Sequence, residues 1–422
     1  MKTIKQLMDI SGRTAVITGA TGGLGQHIAE VIAEIGGDLI LVDRPNSNYA
    51  PLKEKLEHNP FTFLHIINPD YKDKIKQKGI NKFNAVKAKF NDFKEAGLFI
   101  TEDAETFYIY QQKNENHTFE GIIGATSVAD YLNGNIKKHE HTLTLREEMF
   151  KSYLDTTGFN AEPVLLCHKK NTDITNLIQK YKSTRAEYEF ATTDKTIHKL
   201  WLVNISKDIN IVINSFSYIN NLYIADGHHR SASSALLAKN SIKKNSQYFM
   251  SFLIDEEQLN IINFNRLIKH TNGLNSYELI NKIKKSFTIV KKGSIPYSPS
   301  LTDEISMYLN GFWYSLIALP KIKIQDCVSK LDPAILSNNI LAPILNITDE
   351  KTDENISFEA GTTPLSVIKN KIDSGEYALA FILKPIPILS LKEVADNNLS
   401  MPPKSTYIEP KLRSGLTIYS LE

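Results

Sequence analysis

Asp226-Gly227-His228-His229-Arg230 sets an acid, a glycine, two imidazoles and a guanidinium in consecutive positions. Arg230 is a planar, permanently charged fork suited to phosphate. Asp226 can hold a magnesium ion or orient a hydroxyl. His228 and His229 adjoin, so their side chains diverge, which leaves room for one to face a ligand and the other to pack. We read His229 as the catalytic partner of Asp226, and Gly227, His228 and Arg230 as cofactor contacts. The apolar run Leu222-Tyr223-Ile224-Ala225 ahead of them reads as a strand, and Ser231 to Leu237 reads as a helix. A strand that turns through glycine into a helix start brings free backbone N–H groups and the positive end of the helix dipole to one point. The bland alternative is a surface turn closed by a salt bridge. A metal site from His139, His141, His228 and His229 is also conceivable. Neither pair has helical i, i+4 spacing, however, and no cysteine joins them.

Upstream lie Ile136-Lys137-Lys138-His139-Glu140-His141, an Arg146-Glu147-Glu148 helix running to Leu154, Gly158, and the strand-like Pro163-Val164-Leu165-Leu166. Together with the strand-Asp-Gly-His-His-Arg-helix stretch, this order resembles the ParB/sulfiredoxin-like nucleotide-binding superfamily over roughly residues 136–237. It looks closest to the branch of free-serine kinases. That resemblance implies ATP or ADP with magnesium as cofactor and Glu140 as the base that takes a proton from a small hydroxyl substrate, free serine or phosphoserine. Read without it, Glu140 is equally a surface charge beside Lys137 and Lys138.

A second resemblance runs from Asn59 to the C-terminus, to a bacterial family catalogued as domain of unknown function ten-fifteen. It is carried by Gly134 to Glu140, Tyr223 to Arg230, Met401-Pro402-Pro403-Lys404-Ser405-Thr406 and Glu409 to Leu416. The C-terminal stretch gathers Lys404, Ser405, Thr406, Lys411 and Arg413 around three prolines. Such preset, cation-rich segments suit phosphate or carboxylate, and we take these five as substrate-binding candidates. The plain alternative is a rigid tail strapped across the fold.

Composition bounds these readings. The 422 residues suffice for two or three domains, and 42% hydrophobic with 23% charged residues is ordinary for a soluble globular protein. A formal net charge of +2 gives no bulk argument for nucleic acid or membrane. Cys167 and Cys327 lack metal-type spacing and read as inert thiols of a reducing cytosol. No apolar run approaches a membrane span, and no signal-peptide core opens the chain. The expectation is a cytoplasmic protein with a nucleotide and a small molecule as partners.

Residues 1–58 differ from the rest. Thr14 to Ile17 reads as a strand, Thr18 to Gly25 as a glycine-rich turn, Ile28 to Ile35 as a helix, and Leu39 to Val42 as a second strand ending at Asp43. This resembles the opening of short-chain dehydrogenases/reductases, which implies Gly19, Gly23 and Gly25 around a pyrophosphate and Asp43 on the ribose of NAD. No second βαβαβ half follows. The Tyr-x-x-x-Lys spacings at Tyr49/Lys53 and Tyr407/Lys411 each contain a proline that disfavours the helix such a pair needs.

The expected fold is mixed α/β: a partial Rossmann βαβ unit (1–58), a ParB/sulfiredoxin-like α+β body (59–255) and a C-terminal lobe (256–422). Within it Thr62 to Ile67 reads as a strand and Ile80 to Lys94 as a helix with Phe83, Val86, Phe90 and Phe93 in the core. Thr106–Gln112 with Thr118–Ala125, and Leu200–Ile205 with Ile209–Phe216, read as strand pairs, and a more helical region begins at Gln258. The leading functional expectation is a phosphotransferase. The rivals are an NAD-dependent oxidoreductase and a non-catalytic nucleotide-sensing module.

Overall fold

A computed structural model describes residues 14–18, 38–42, 61–70, 76–192, 194–301, 303–322 and 326–422. The fold is mixed α/β. In the N-terminal region β1 (Thr14–Thr18) and β2 (Asp38–Val42) pair in parallel. Gly19, Gly23, Gly25, Asp43 and the expected helix Ile28–Ile35 lie outside the described residues.

The chain divides into two compact units. The first takes residues up to Ile136, Thr142–Leu259 and Pro410–Glu422, and the second takes Lys137–His141 and Asn260–Glu409. The main sheet of the first unit uses β3 (Phe107–Lys113), β4 (Thr118–Ser127), β5 (Ile136–Lys137), β7 (Val164–His168), β8 (Tyr188–Ala191), β9 (Ile197–Val203), β10 (Leu222–Asp226) and β11 (Tyr248–Asp255). Their spatial order is β5-β10-β7-β11-β4-β3-β9-β8. The short β6 (Phe159–Asn160) stands apart from it. The β3–β4 hairpin forms as its alternating pattern predicts, with Tyr108 opposite Ile123 and Lys113 opposite Thr118.

Two expectations for this unit are corrected. Leu64–Ile67 is a helical turn, with Phe63, Leu64 and Ile66 buried. Ile209–Phe216 belongs to the helix Ser206–Ser217, which buries Asp208, Val212 and Ser215. Those three positions are four and three apart, a helical stripe that the isoleucine alternation at 209, 211 and 213 masks in the sequence. The helix Gly79–Glu95 stands as read, with Val86 and Phe93 buried and the Phe90 ring tilted against that of Phe159, 4.3 Å between centroids.

The helix His228–Asn240 packs Ala232, Ala235 and Ala238 against Val164, Leu166, Ile224 and Phe249. Small alanines on the buried face let the helix sit close to the sheet and fix its N-terminus at the end of β10.

In the second unit a six-stranded sheet has the order β14-β16-β15-β18-β13-β17. Its members are β13 (Phe264–Ile268), β14 (Phe287–Gly293), β15 (Glu304–Leu309), β16 (Phe312–Ala318), β17 (Ile356–Ala360) and β18 (Leu379–Ile382), and β12 (Asn260–Ile262) pairs with β19 (Tyr407–Glu409). The region after Gln258 therefore opens on strands rather than helix, and its helices, Ser276–Ile283, Asp332–Leu336, Leu365–Asp373 and Ile388–Asp396, come later. Arg266 is fully buried there, donating to the carbonyls of Phe264 at 2.7 Å and Pro403 at 3.4 Å. The final strand, β20 (Tyr419–Ser420), returns to the first unit and pairs with β6. Among the described residues no helix is long and apolar enough to cross a membrane.

Candidate functional site

β10 carries an irregularity just before its end: Ile224 faces Leu166, while Asp226 faces Leu165. A bulge of this kind re-aims the side chain that follows it. Gly227 then adopts φ +101°, and the helix begins at His228 with no side chain capping its first turn. The glycine is required twice over. Its backbone lies in left-handed space, and a Cβ there would stand 2.8 Å from Arg230 Nη2 and 2.9 Å from Nε. Arg230 thus folds back over the turn from which it springs.

What holds it there is a pair of carboxylates. Arg230 Nη2 donates to Asp226 Oδ2 at 2.9 Å, and Nη1 pairs with Glu162 Oε1. The second Asp226 oxygen accepts from Lys411 Nζ at 2.7 Å, and the second Glu162 oxygen accepts from Ser414 Oγ at 3.0 Å. Burial pushes the Arg230 guanidinium down to about 10, which leaves it charged at neutral pH. Two cations and two anions share this corner, so it is near neutral.

The C-terminal segment supplies half of these contacts and is anchored by its backbone. Gly415 N donates to the Ala161 carbonyl at 2.7 Å, and Leu421 N to that of Gly158 at 2.8 Å. Arg413 from the same segment pairs with Asp194 at 3.2 Å. The field of Arg413 also reaches His198, a wholly buried imidazole whose Nδ1 lies 2.7 Å from the Tyr110 hydroxyl. Burial first, then the Arg413 charge, lowers His198 to about 3, so its ring is neutral.

Several sequence candidates are thereby located. Asp226, Gly227, His228, His229, Arg230, Lys411 and Arg413 all fall in the first unit, with His228 buried and His229 partly so. The Arg230 fork and both Asp226 oxygens are engaged by side chains of the chain itself. The five C-terminal candidates do not form one set. Lys404, Ser405 and Thr406 belong to the second unit, where Lys404 Nζ lies 5.2 Å over the Phe264 ring and Ser405 Oγ donates to the Pro402 carbonyl at 2.7 Å. Glu140 is exposed, and the carbonyl of neighbouring His139 accepts from Met401 N at 2.9 Å, within the second unit. Among the described residues no three His, Cys, Asp or Glu side chains converge as a metal site, which includes the four-histidine arrangement.

Sequence reasoning missed Glu162 and Asp194. The one available signal was position: Glu162 stands next to Pro163 at the mouth of a fully buried strand, where a carboxylate must find a partner.

The family described as "Protein of unknown function (DUF1015)" matches residues 45–334. The chain belongs to this family. The match to DUF1015 takes in β10 and its turn and ends before the C-terminal segment. No curated protein matches the chain. Among solved structures, a free serine kinase variant in complex with AMP shares 12% identity at a TM-score of 0.38, over 69% of this chain and 92% of that one. SbnI with a C-terminal truncation, from Staphylococcus aureus, shares 13% at 0.38, over 71% and 87%. A conserved hypothetical protein from Pyrococcus furiosus shares 13% at 0.36, over 71% and 95%. All three are distant.

Proposed function

We propose that this DUF1015 protein is a phosphotransferase of kinase type that binds ATP or ADP at the turn after β10. The observation that supports the reading is the convergence at one helix start. A long helix begins there without a capping side chain, and a guanidinium and an ammonium lie within 3 Å of one carboxylate. Phosphoryl transfer asks a protein for positioning and charge neutralisation, and these groups supply both. The amides of His228 to Arg230 would receive phosphate oxygens, and Arg230 and Lys411 would balance their charge. Asp226, a hard oxygen donor whose side chain is partly exposed, suits a magnesium ion that takes its remaining ligands from phosphate and water. His229 would assist proton transfer beside Asp226, and the sequence resemblance alone nominates Glu140 as the base for the hydroxyl substrate. A small metabolite such as serine or phosphoserine is the substrate that the sequence resemblance suggests.

Calorimetric titration with ADP tests the cradle. Arg230→Ala should weaken binding by about tenfold or more, equivalent to about 1.4 kcal/mol, and an unchanged affinity overturns the assignment. Phosphorylated product from ATP and serine, abolished in Glu140→Gln with ADP affinity retained, would establish turnover. Nucleotide binding without product would make the protein a sensor instead.

The parallel β1–β2 pairing favours one further reading, a dinucleotide-binding N-terminal unit. An NADH fluorescence titration of the full chain decides it, and absence of binding removes it.

A further inference from the structure

We propose that Lys411 is an exchangeable gate on Asp226. Its ammonium holds one carboxylate oxygen until a divalent cation carried by the nucleotide takes that oxygen, and it then turns to the nucleotide's phosphate. This rests on the phosphate-site reading above and assigns the regulation of the same corner. Both Asp226 oxygens are engaged, at 2.7 Å by Lys411 and at 2.9 Å by Arg230. Each oxygen keeps a second lone pair, but a divalent cation placed there would share its oxygen with an ammonium or a guanidinium. That like-charge repulsion drives one of the two side chains off.

The geometry selects which one. Arg230 is shared between Asp226 and Glu162, and its guanidinium lies folded against Gly227, so moving it uncouples two carboxylates at once. The Lys411 side chain is 42% exposed against 26% for Arg230, and it swings on a flexible four-carbon stem. Its backbone need not move. Gly415 and Leu421 stay hydrogen-bonded to Ala161 and Gly158 whichever way the ammonium points. Charge follows the same logic. The corner balances two carboxylates against Arg230 and Lys411; a divalent ion at Asp226 over-neutralises it, and the arriving phosphate both restores the balance and receives the released ammonium. A half-exposed ion pair is worth about 0.2–1 kcal/mol, so the exchange is cheap enough to be reversible.

The test uses the full chain and two probes that need no turnover: Mn2+ alone, followed by electron paramagnetic resonance, and ADP in EDTA, followed by calorimetry. Lys411→Gln should bind Mn2+ about two- to fivefold tighter and metal-free ADP about threefold or more weaker. In an Asp226→Asn background the Lys411 substitution should leave Mn2+ affinity unchanged, because the carboxylate charge for which the two cations compete is gone. Arg413→Gln removes the same charge from the same segment and should change Mn2+ affinity far less. Lys411→Met gives a second side chain of similar length should the glutamine variant fold poorly. Flat affinities in the Lys411 variants, shifts of the same sign for both probes, or an Arg413→Gln effect equal to that of Lys411→Gln overturns the gate. If the wild type binds ADP while the Lys411 pattern fails, only the gate falls. If the wild type binds neither probe, the phosphate site falls and the gate with it.

Discussion

Gly227→Ala probes the candidate site through stability alone. At φ +101° an alanine pays for left-handed backbone, about 1–2 kcal/mol. Its Cβ would also stand within 3 Å of Arg230 Nη2 and Nε, so the guanidinium must withdraw. Withdrawal loosens the pairs to Asp226 and Glu162, whose side chains are 37% and 36% exposed, at about 0.2–1 kcal/mol each. Together these come to about 1.4–4 kcal/mol for the first unit. The chain's two tryptophans make that unit observable: Trp201 lies in the first and Trp313 in the second, both buried. In a Trp313→Phe background, urea denaturation followed by fluorescence reports the surroundings of Trp201. In an Arg230→Ala background the clash disappears, and Gly227→Ala should cost about 1 kcal/mol less than with arginine present. An equal cost in both backgrounds would refute the claim that Gly227 makes room for Arg230.

Two further outcomes concern titration. Asp332 is raised to about 7 by burial and then by the Asp303 charge, with Glu304 adding and Lys384 opposing. The folded second unit therefore holds a proton that the unfolded chain releases at its ordinary carboxyl value, and stability falls as pH rises from about 4 to about 7. Denaturation followed through Trp313 should show Asp332→Asn gaining on the wild type between pH 5 and pH 8, and parallel profiles would count against the buried acid. His198, held near 3, favours the folded state above its ordinary value and withdraws that support as pH falls below about 6. Its imidazole proton resonance should stay unshifted down to about pH 4.5, and a midpoint near 6.5 would contradict its burial.

The turn after β10 was legible because its signals are local. An apolar run, one glycine and an alanine-rich helix fall in consecutive residues, and each agrees with the others. The second unit was not legible for the opposite reason. β12 and β13 find partners at Tyr407–Glu409, Ile356–Ala360 and Leu379–Ile382, about ninety to nearly one hundred and fifty positions away, and nothing near Gln258 announces them. Ser206–Ser217 shows a different failure, in which β-branched residues favour a strand by propensity while the buried stripe follows the helical period. At the site, the motif gave the residues and not their partners. Glu162 and Asp194 carry no motif, and only the folded chain reveals that they meet Arg230 and Arg413.

The return of the last strand to the first unit bears on how the protein is made. Residues 260–409 intervene between β11 and the segment that closes the first unit. During synthesis β6, the Gly158 and Ala161 carbonyls, and the Asp226 and Glu162 carboxylates all emerge long before Tyr419, Leu421, Gly415, Lys411 and Ser414 exist to meet them. The second unit's sheet, by contrast, needs nothing beyond Leu379–Ile382 and is complete in sequence before the first unit is. The order of completion on the ribosome is therefore the reverse of the order of the units along the chain, with the corner around Asp226 and Arg230 assembled last by long-range closure. A nascent chain stalled before residue 410 would hold a second unit complete in sequence and a first unit with an open seam.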